Sequence, residues 1–335
     1  MKNHFLLILF VVALKSFASV PEKKDSSPDG IYKPDFSLDT ALVNDSTRVW
    51  FMGANGNFNL NQVSFTNWAE GGESTLAGNV FGVFKATYLK KKFKADNYLL
   101  MAYGITWNGE QGVRKTDDKI EVGTAVGYEV FENWYYSLIA NLKSQFSNGY
   151  KYPDDSTLVS TFLAPANFLL SLGMEYKPNK FTSVFISPAS GKFIFVANQE
   201  LANKGAFGVT PAVRDSLGNV LIPGSDYKAK FGFNFILNYH KDIIKNVNLS
   251  SKLNLHNNYM DENSDNRWNV DVDWETAFNF KINSFLSSMI YMHFLYDHDI
   301  KIPQYEKVDG IKTQVGSGPR LQMKQNFGIG VSIKV

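Results

Sequence analysis

From Trp268 to Ile282 the chain reads WNVDVDWETAFNFKI. Trp268, Val270, Val272, Trp274, Thr276, Phe278, Phe280 and Ile282 alternate there with Asn269, Asp271, Asp273, Glu275, Ala277, Asn279 and Lys281. Successive side chains of a strand point to opposite faces, so the run has one apolar face and one carrying three carboxylates and a lysine. Strands of soluble sheets usually run about 5 to 6 residues. A strand that crosses a bilayer needs about 9 to 11 residues plus an extension beyond the lipid, which suits a run of this length.

Period-two matching places eleven more such runs in the chain. The twelve spans are about 48–62, 76–89, 94–107, 119–131, 134–147, 163–176, 181–197, 226–240, 246–260, 268–282, 285–300 and 319–335. Connections after even-numbered runs are short: KKKF at 90–93, Glu132-Asn133, KPNK at 177–180, KDIIK at 241–245 and Asn283-Ser284. Those after odd-numbered runs are mostly longer, and the one after the seventh extends from about 198 to 225. A soluble β-sandwich has no reason to keep every second connection short. The pattern predicts an all-β, transmembrane, antiparallel up-and-down β-barrel of about 12 strands over residues 48–335, with both termini in the periplasm.

The two faces of the runs agree. One carries Trp134, Tyr136, Leu138, Ala140 and Leu142, then Phe168, Leu170, Leu172, Met174 and Tyr176, and later Phe231, Phe233, Phe235, Leu237 and Tyr239. In the last run it continues with Leu321, Met323, Phe327, Ile329, Val331 and Ile333. The other face carries Lys143, Glu121, Glu175, Lys230, Lys252, Asp271, Asp273, Glu275, Arg320 and Lys324. Lys or Arg at the lipid midplane costs about 2–4 kcal/mol, so the apolar face is expected to meet lipid and the charged one the lumen.

The N-terminus points to the same compartment. Lys2, the apolar stretch Phe5–Leu14 and the small residues Ser16 and Ala18 form a signal peptide over 1–18. Residues 19–47 are polar, hold three prolines and read as a flexible periplasmic tail. Cysteine is absent, which excludes disulfides and thiolate metal sites. A net charge of +2 gives no basic stripe for nucleic acid. Aromatic residues make up 15% of the chain, enough to furnish the girdles of a membrane barrel.

Several blocks occur in order: QVSFTNWAEGGESTLAGN (62–79), RKTDDKIE (114–121), FSNGYKYPDDS (146–156), FLAPA (162–166), SLGMEYKPN (171–179), SPASGK (187–192) and LANKGAFGV (201–209). Over roughly residues 48–335 the chain thereby resembles a Bacteroidetes outer-membrane family catalogued as domain of unknown function 3078. The resemblance implies an outer-membrane β-barrel and supplies neither an activity nor catalytic residues.

Chemistry must therefore be read from the residues. HExxH, GxSxG and Walker patterns are missing. None of His240, His256, His293 and His298 is followed two residues on by serine; Asp242, Asn258, Leu295 and Ile300 stand there. No enzymatic activity and no cofactor are expected, and an outer-membrane lipid-modifying enzyme ranks behind the other readings. Asp261, Asn263 and Asp265 copy the first ligand positions of a calcium loop, but Asn266 and Val272 occupy the positions that call for Gly and Glu. Asp117-Asp118 and Asp154-Asp155 are acidic pairs assigned to outer loops.

The inward charges carry the functional expectation. Twelve tilted strands close to a backbone diameter of roughly 24 Å, leaving a lumen of at most about 10 Å. The candidate lining is Lys143, Glu175, Lys230, Lys252, Asp271, Asp273, Glu275, Arg320 and Lys324, either as a selective filter or as a paired plug. Trp68, Tyr150, Tyr152 and Phe207 are candidate extracellular contacts or inward-folded packing residues. The expectation is a porin-like channel for small polar solutes; the alternative is a non-conducting scaffold or partner-binding barrel. Outer-membrane lipid and lipopolysaccharide are the expected surroundings.

Overall fold

The computed structural model describes residues 49–63, 74–109, 112–152, 154–261, 263–283, 286–308 and 311–334. The signal peptide at 1–18, the tail at 19–47 and Trp68 lie outside the described residues. Twelve strands close into one barrel: β1 (Trp50–Val63), β2 (Thr75–Lys90), β3 (Phe93–Asn108), β4 (Val113–Phe131), β5 (Trp134–Ser144) and β6 (Ala166–Asn179) form its first half. The second half is β7 (Thr182–Phe195), β8 (Tyr227–Ile244), β9 (Val247–Asn258), β10 (Val270–Lys281), β11 (Leu286–Tyr296) and β12 (Gln322–Lys334). Each pairs antiparallel with its sequence neighbour, and β12 returns to β1 through Asn55↔Lys334 to Asn59↔Gly330. The twelve expected strands are therefore present in the expected order.

Tight turns join the strands at one end. Lys91, Asn133 and Asn246 adopt left-handed backbone angles there (φ 54°, 64° and 65°), and asparagine is among the residues that tolerate this conformation best. Two turns fall later than the sequence implied. KPN (177–179) runs on into β6, and the turn is Lys180-Phe181; KDII belongs to β8, and the turn is Lys245-Asn246. Register shifts at Tyr176/Asn179 and Asp242/Ile244 insert the extra residues, which period-two counting does not register.

The barrel is apolar outside and polar inside. Leu172 and Phe327 are 59% and 64% exposed, whereas Lys230 and Glu275 are 2% and 5% exposed. That inversion of a soluble protein's pattern is the one a barrel needs when lipid is its solvent. Aromatic pairs rim both ends. Trp50 packs on Tyr88 and Trp134 stacks on Tyr176 near the tight turns, with Trp274 stacked on Phe294 toward the other end. Among the described residues no helix is long and apolar enough to cross a membrane.

The run that first marked the chain as a barrel is shorter at one end. β10 starts at Val270, and Trp268 lies in a 3₁₀ turn over Ser264–Trp268, 89% exposed. Asn263 caps that turn by accepting from Asp265 N–H, and Asn257 Nδ2 donates to the carbonyls of Arg267 and Asn269. Together they bend the chain away before the strand begins. The long connections carry hairpins: Gly149–Tyr150 with Leu158–Ser160, Val213–Arg214 with Val220–Ile222, and Lys301–Val308 with Ile311–Pro319. A short helix, α1 (Gln199–Asn203), is capped by Asn198 and packs Leu201 and Ala202 against Ala164, Ile194, Val196 and Val209.

Candidate functional site

The lumen holds the inward charges in layers. At the long-loop end, Lys230 of β8 is buried among three carboxylates. Its Nζ lies 2.8 Å from Asp271, 3.0 Å from Asp297 and 2.8 Å from Asp299. Lys192 of β7 joins Asp271 and Asp297 at 3.1 and 3.2 Å, and Lys228 joins Asp299 at 2.8 Å. Three lysines thus face three aspartates, the matched composition that burial of charge demands. Asp297 and Asp299 lie just beyond β11. Burial alone would raise their pKa values, but Lys192 and Lys230 beside Asp297, and Lys230 and Lys228 beside Asp299, outweigh it and hold both below the usual carboxylate range.

Lower in the lumen, Tyr98 of β3 donates to Glu121 of β4 at 2.6 Å, and Asn141 of β5 donates to both, at 2.7 and 2.9 Å. Lys119 pairs with the same glutamate at 2.6 Å. The register sets Tyr98 opposite Gly123, and a Cβ at Gly123 would lie 2.2 Å from the tyrosine ring, so glycine is what lets the ring lie flat on the wall. Lys143 of β5 reaches Asp273 and Glu275 of β10 at 3.8 and 4.0 Å. Those strands are five places apart around the barrel, so the contact crosses the lumen. Toward the tight turns, Lys94 pairs with Asp96 at 2.7 Å and Lys177 with Glu175 at 3.0 Å.

Beside the charges runs an apolar seam. Phe81 and Val83 of β2 and Leu100 and Ala102 of β3 pack in one buried cluster with Ala277 of β10 and Met289 and Tyr291 of β11. A cavity of about 70 Å³ adjoins it, lined among others by Glu121, Lys143, Lys252, Asp273 and Glu275. It is large enough to hold water.

The other candidates fall as follows. Glu175, Lys230, Lys252, Asp271, Asp273 and Glu275 line the lumen, with Lys252 opposite Glu275 in the β9–β10 register. Lys324 of β12 meets Asp117 of β4 at 2.7 Å rather than the β10 acids. Arg320 is exposed in the link before β12, outside any strand, because the hairpin strand Ile311–Pro319 ends just before it and β12 starts only at Gln322. Tyr150 sits in a small hairpin, Tyr152 lies under the Arg114 guanidinium at 5.2 Å, and Phe207 packs on the α1 cluster. Asp117 and Asp118 belong to β4 rather than to a loop. Asp118 accepts from Lys115 and from the backbone N–H groups of Phe146 and Ser147. Asp154 accepts from Ser156 and Thr157, whose hydrogen bonds hold its carboxyl below the ordinary range. Lys192, Asp297, Asp299, Tyr98, Asn141 and His293 were not among the expected lining residues. Their roles arise from cross-strand register and from loop residues folding back.

Fold and lumen together define a class, a membrane-type β-barrel of twelve strands with a charge-bridged interior. Residues 60–150 match the family model described as "Protein of unknown function (DUF3078)", a shorter span than the resemblance in the sequence blocks covers. No curated protein matches the chain. Among solved structures, an outer membrane channel from Pseudomonas putida F1 is similar at 9% identity and a TM-score of 0.37, covering 93% of this chain and 100% of that one. The translocator domain of autotransporter NalP from Neisseria meningitidis is similar at 8% identity and a TM-score of 0.33, covering 88% and 91%. OmpT, an outer membrane protein of Vibrio cholerae, is similar at 8% identity and a TM-score of 0.29, covering 85% and 97%.

Proposed function

We propose that the protein is an outer-membrane β-barrel, exported through the signal peptide at 1–18, whose lumen is shut by its own side chains. On this reading it is a membrane-anchored scaffold that displays its long loops, and solutes do not pass through it. The apolar cluster that joins β2 and β3 to β10 and β11 carries the reading, because side chains packed to 1–6% exposure leave that part of the lumen no aqueous path. The Lys143 bridge to Asp273 and Glu275 crosses much of what remains. Paired inward charges are thus a plug rather than a selective lining, and neither solute transport nor catalysis is assigned to them. Display by the loops is supported by the Val213–Ile222 hairpin, which leaves Leu217 86% exposed beside the exposed Leu221 and Ile222.

Liposome swelling tests the proposal. Vesicles carrying the refolded protein are expected to swell in isosmotic arabinose no faster than empty vesicles. Swelling that rises with the amount of protein inserted would overturn it.

A further inference from the structure

Asp273 and Glu275 stand two residues apart on β10 and so share its inner face, and the β10–β11 register sets His293 opposite Glu275. The three side chains meet. His293 Nε2 lies 2.8 Å from Asp273 Oδ1, and one ligand atom from each of the three lies within 4.8 Å of the others. Glu275 is buried, and the Tyr291 hydroxyl donates to its Oε2 at 2.9 Å, which holds the carboxylate in place. A separate observation is the cavity, large enough for water, that opens onto Asp273 and Glu275.

We propose that Asp273, Glu275 and His293 bind a divalent ion of the late first transition row, of the Zn²⁺ type, with cavity water completing its shell. The donor set selects the ion. Calcium and magnesium take oxygen ligands, whereas an imidazole with two carboxylates suits zinc and its neighbours. Ligands about 2.1 Å from a tetrahedral ion lie about 3.4 Å apart, so donors within 4.8 Å of one another must draw together by at most about 1.4 Å to close around one. Two carboxylates cancel the charge of the ion. Lys143, at 3.8 and 4.0 Å from the same carboxylates, supplies the competing positive charge. Ion and ammonium therefore exclude one another, and binding draws Lys143 off the opposite wall. The site stands whether or not the lumen conducts.

The test uses the full barrel, refolded in detergent and titrated with Zn²⁺ by calorimetry and with Co²⁺ by visible absorption. Saturable one-to-one Zn²⁺ binding is expected, together with Co²⁺ bands of nitrogen and oxygen ligation. His293→Gln should weaken binding by about tenfold or more, as loss of a ligand or its support does. Lys143→Met should tighten it several-fold, and His298→Gln, outside the group, should leave it unchanged. Absence of saturable binding, unaltered affinity in His293→Gln, or weaker binding in Lys143→Met would each overturn the proposal. Gel mobility without boiling shows whether each variant folds. If His293→Gln does not fold, Lys143→Met, which lacks no ligand, decides alone.

Discussion

Lys230 shows what a single residue does in this lumen. Its ammonium is held by Asp271, Asp297 and Asp299 at 2.8–3.0 Å, and its side chain is almost wholly buried. Removing one partner of a buried charge group leaves the others uncompensated, at about 3–5 kcal/mol. Lys230→Met is accordingly expected to lose about that much stability at pH about 8, measured by urea unfolding from lipid vesicles. The sign of its pH dependence follows from the acids. Asp297 and Asp299 have lowered pKa values in the folded chain, so they contribute stability above the ordinary carboxylate range, which is lost as pH falls toward their lowered values. Without Lys230 those pKa values rise, and protonation relieves the repulsion. The deficit of Lys230→Met should therefore shrink at pH about 4, whereas a deficit that grows on acidification would contradict the ion-group account.

At the scale of the element, two features of the strands can be tested. Leu138 of β5 faces outward opposite Leu172 of β6, both exposed on the apolar face. Leu138→Arg should cost about 2–4 kcal/mol in vesicles if that face meets the lipid core, and close to nothing if it meets water. Asn133 closes the turn between β4 and β5 with φ 64°. Asn133→Val should cost about 1–2 kcal/mol in the same assay, because a branched residue resists the left-handed region, while Asn133→Gly should be neutral or better. These elements were largely legible in the sequence, since alternation and turn residues are local properties of the chain. Their ends were not. β4 begins at Val113, well before the expected 119, since Lys115 and Asp118 are tied to the loop after β5 and alternation there is broken by a bulge at Gly104/Ile105. Trp268 extends the alternating pattern by chance, while the Asn263 cap and Asn257 direct the backbone elsewhere.

For the whole molecule, the closed barrel and its inverted polarity were legible, but the state of the lumen was not. Inward charges were visible as a list, yet their partners come from strands far apart in sequence and around the barrel. Lys143 reaching Asp273, and Lys192 reaching Asp297 beyond β11, have no local signature. Nor does the pairing of His293 with Asp273, which only the β10–β11 register reveals. The apolar seam was hidden for a related reason: Phe81, Val83, Leu100 and Met289 sit on the inner face, where alternation alone assigns them no partner. The charges and the seam together close the interior. Single-channel recording in planar bilayers tests that closure most directly. The intact protein is expected to insert without ohmic steps, and regular conductance steps from the purified, folded chain would contradict it.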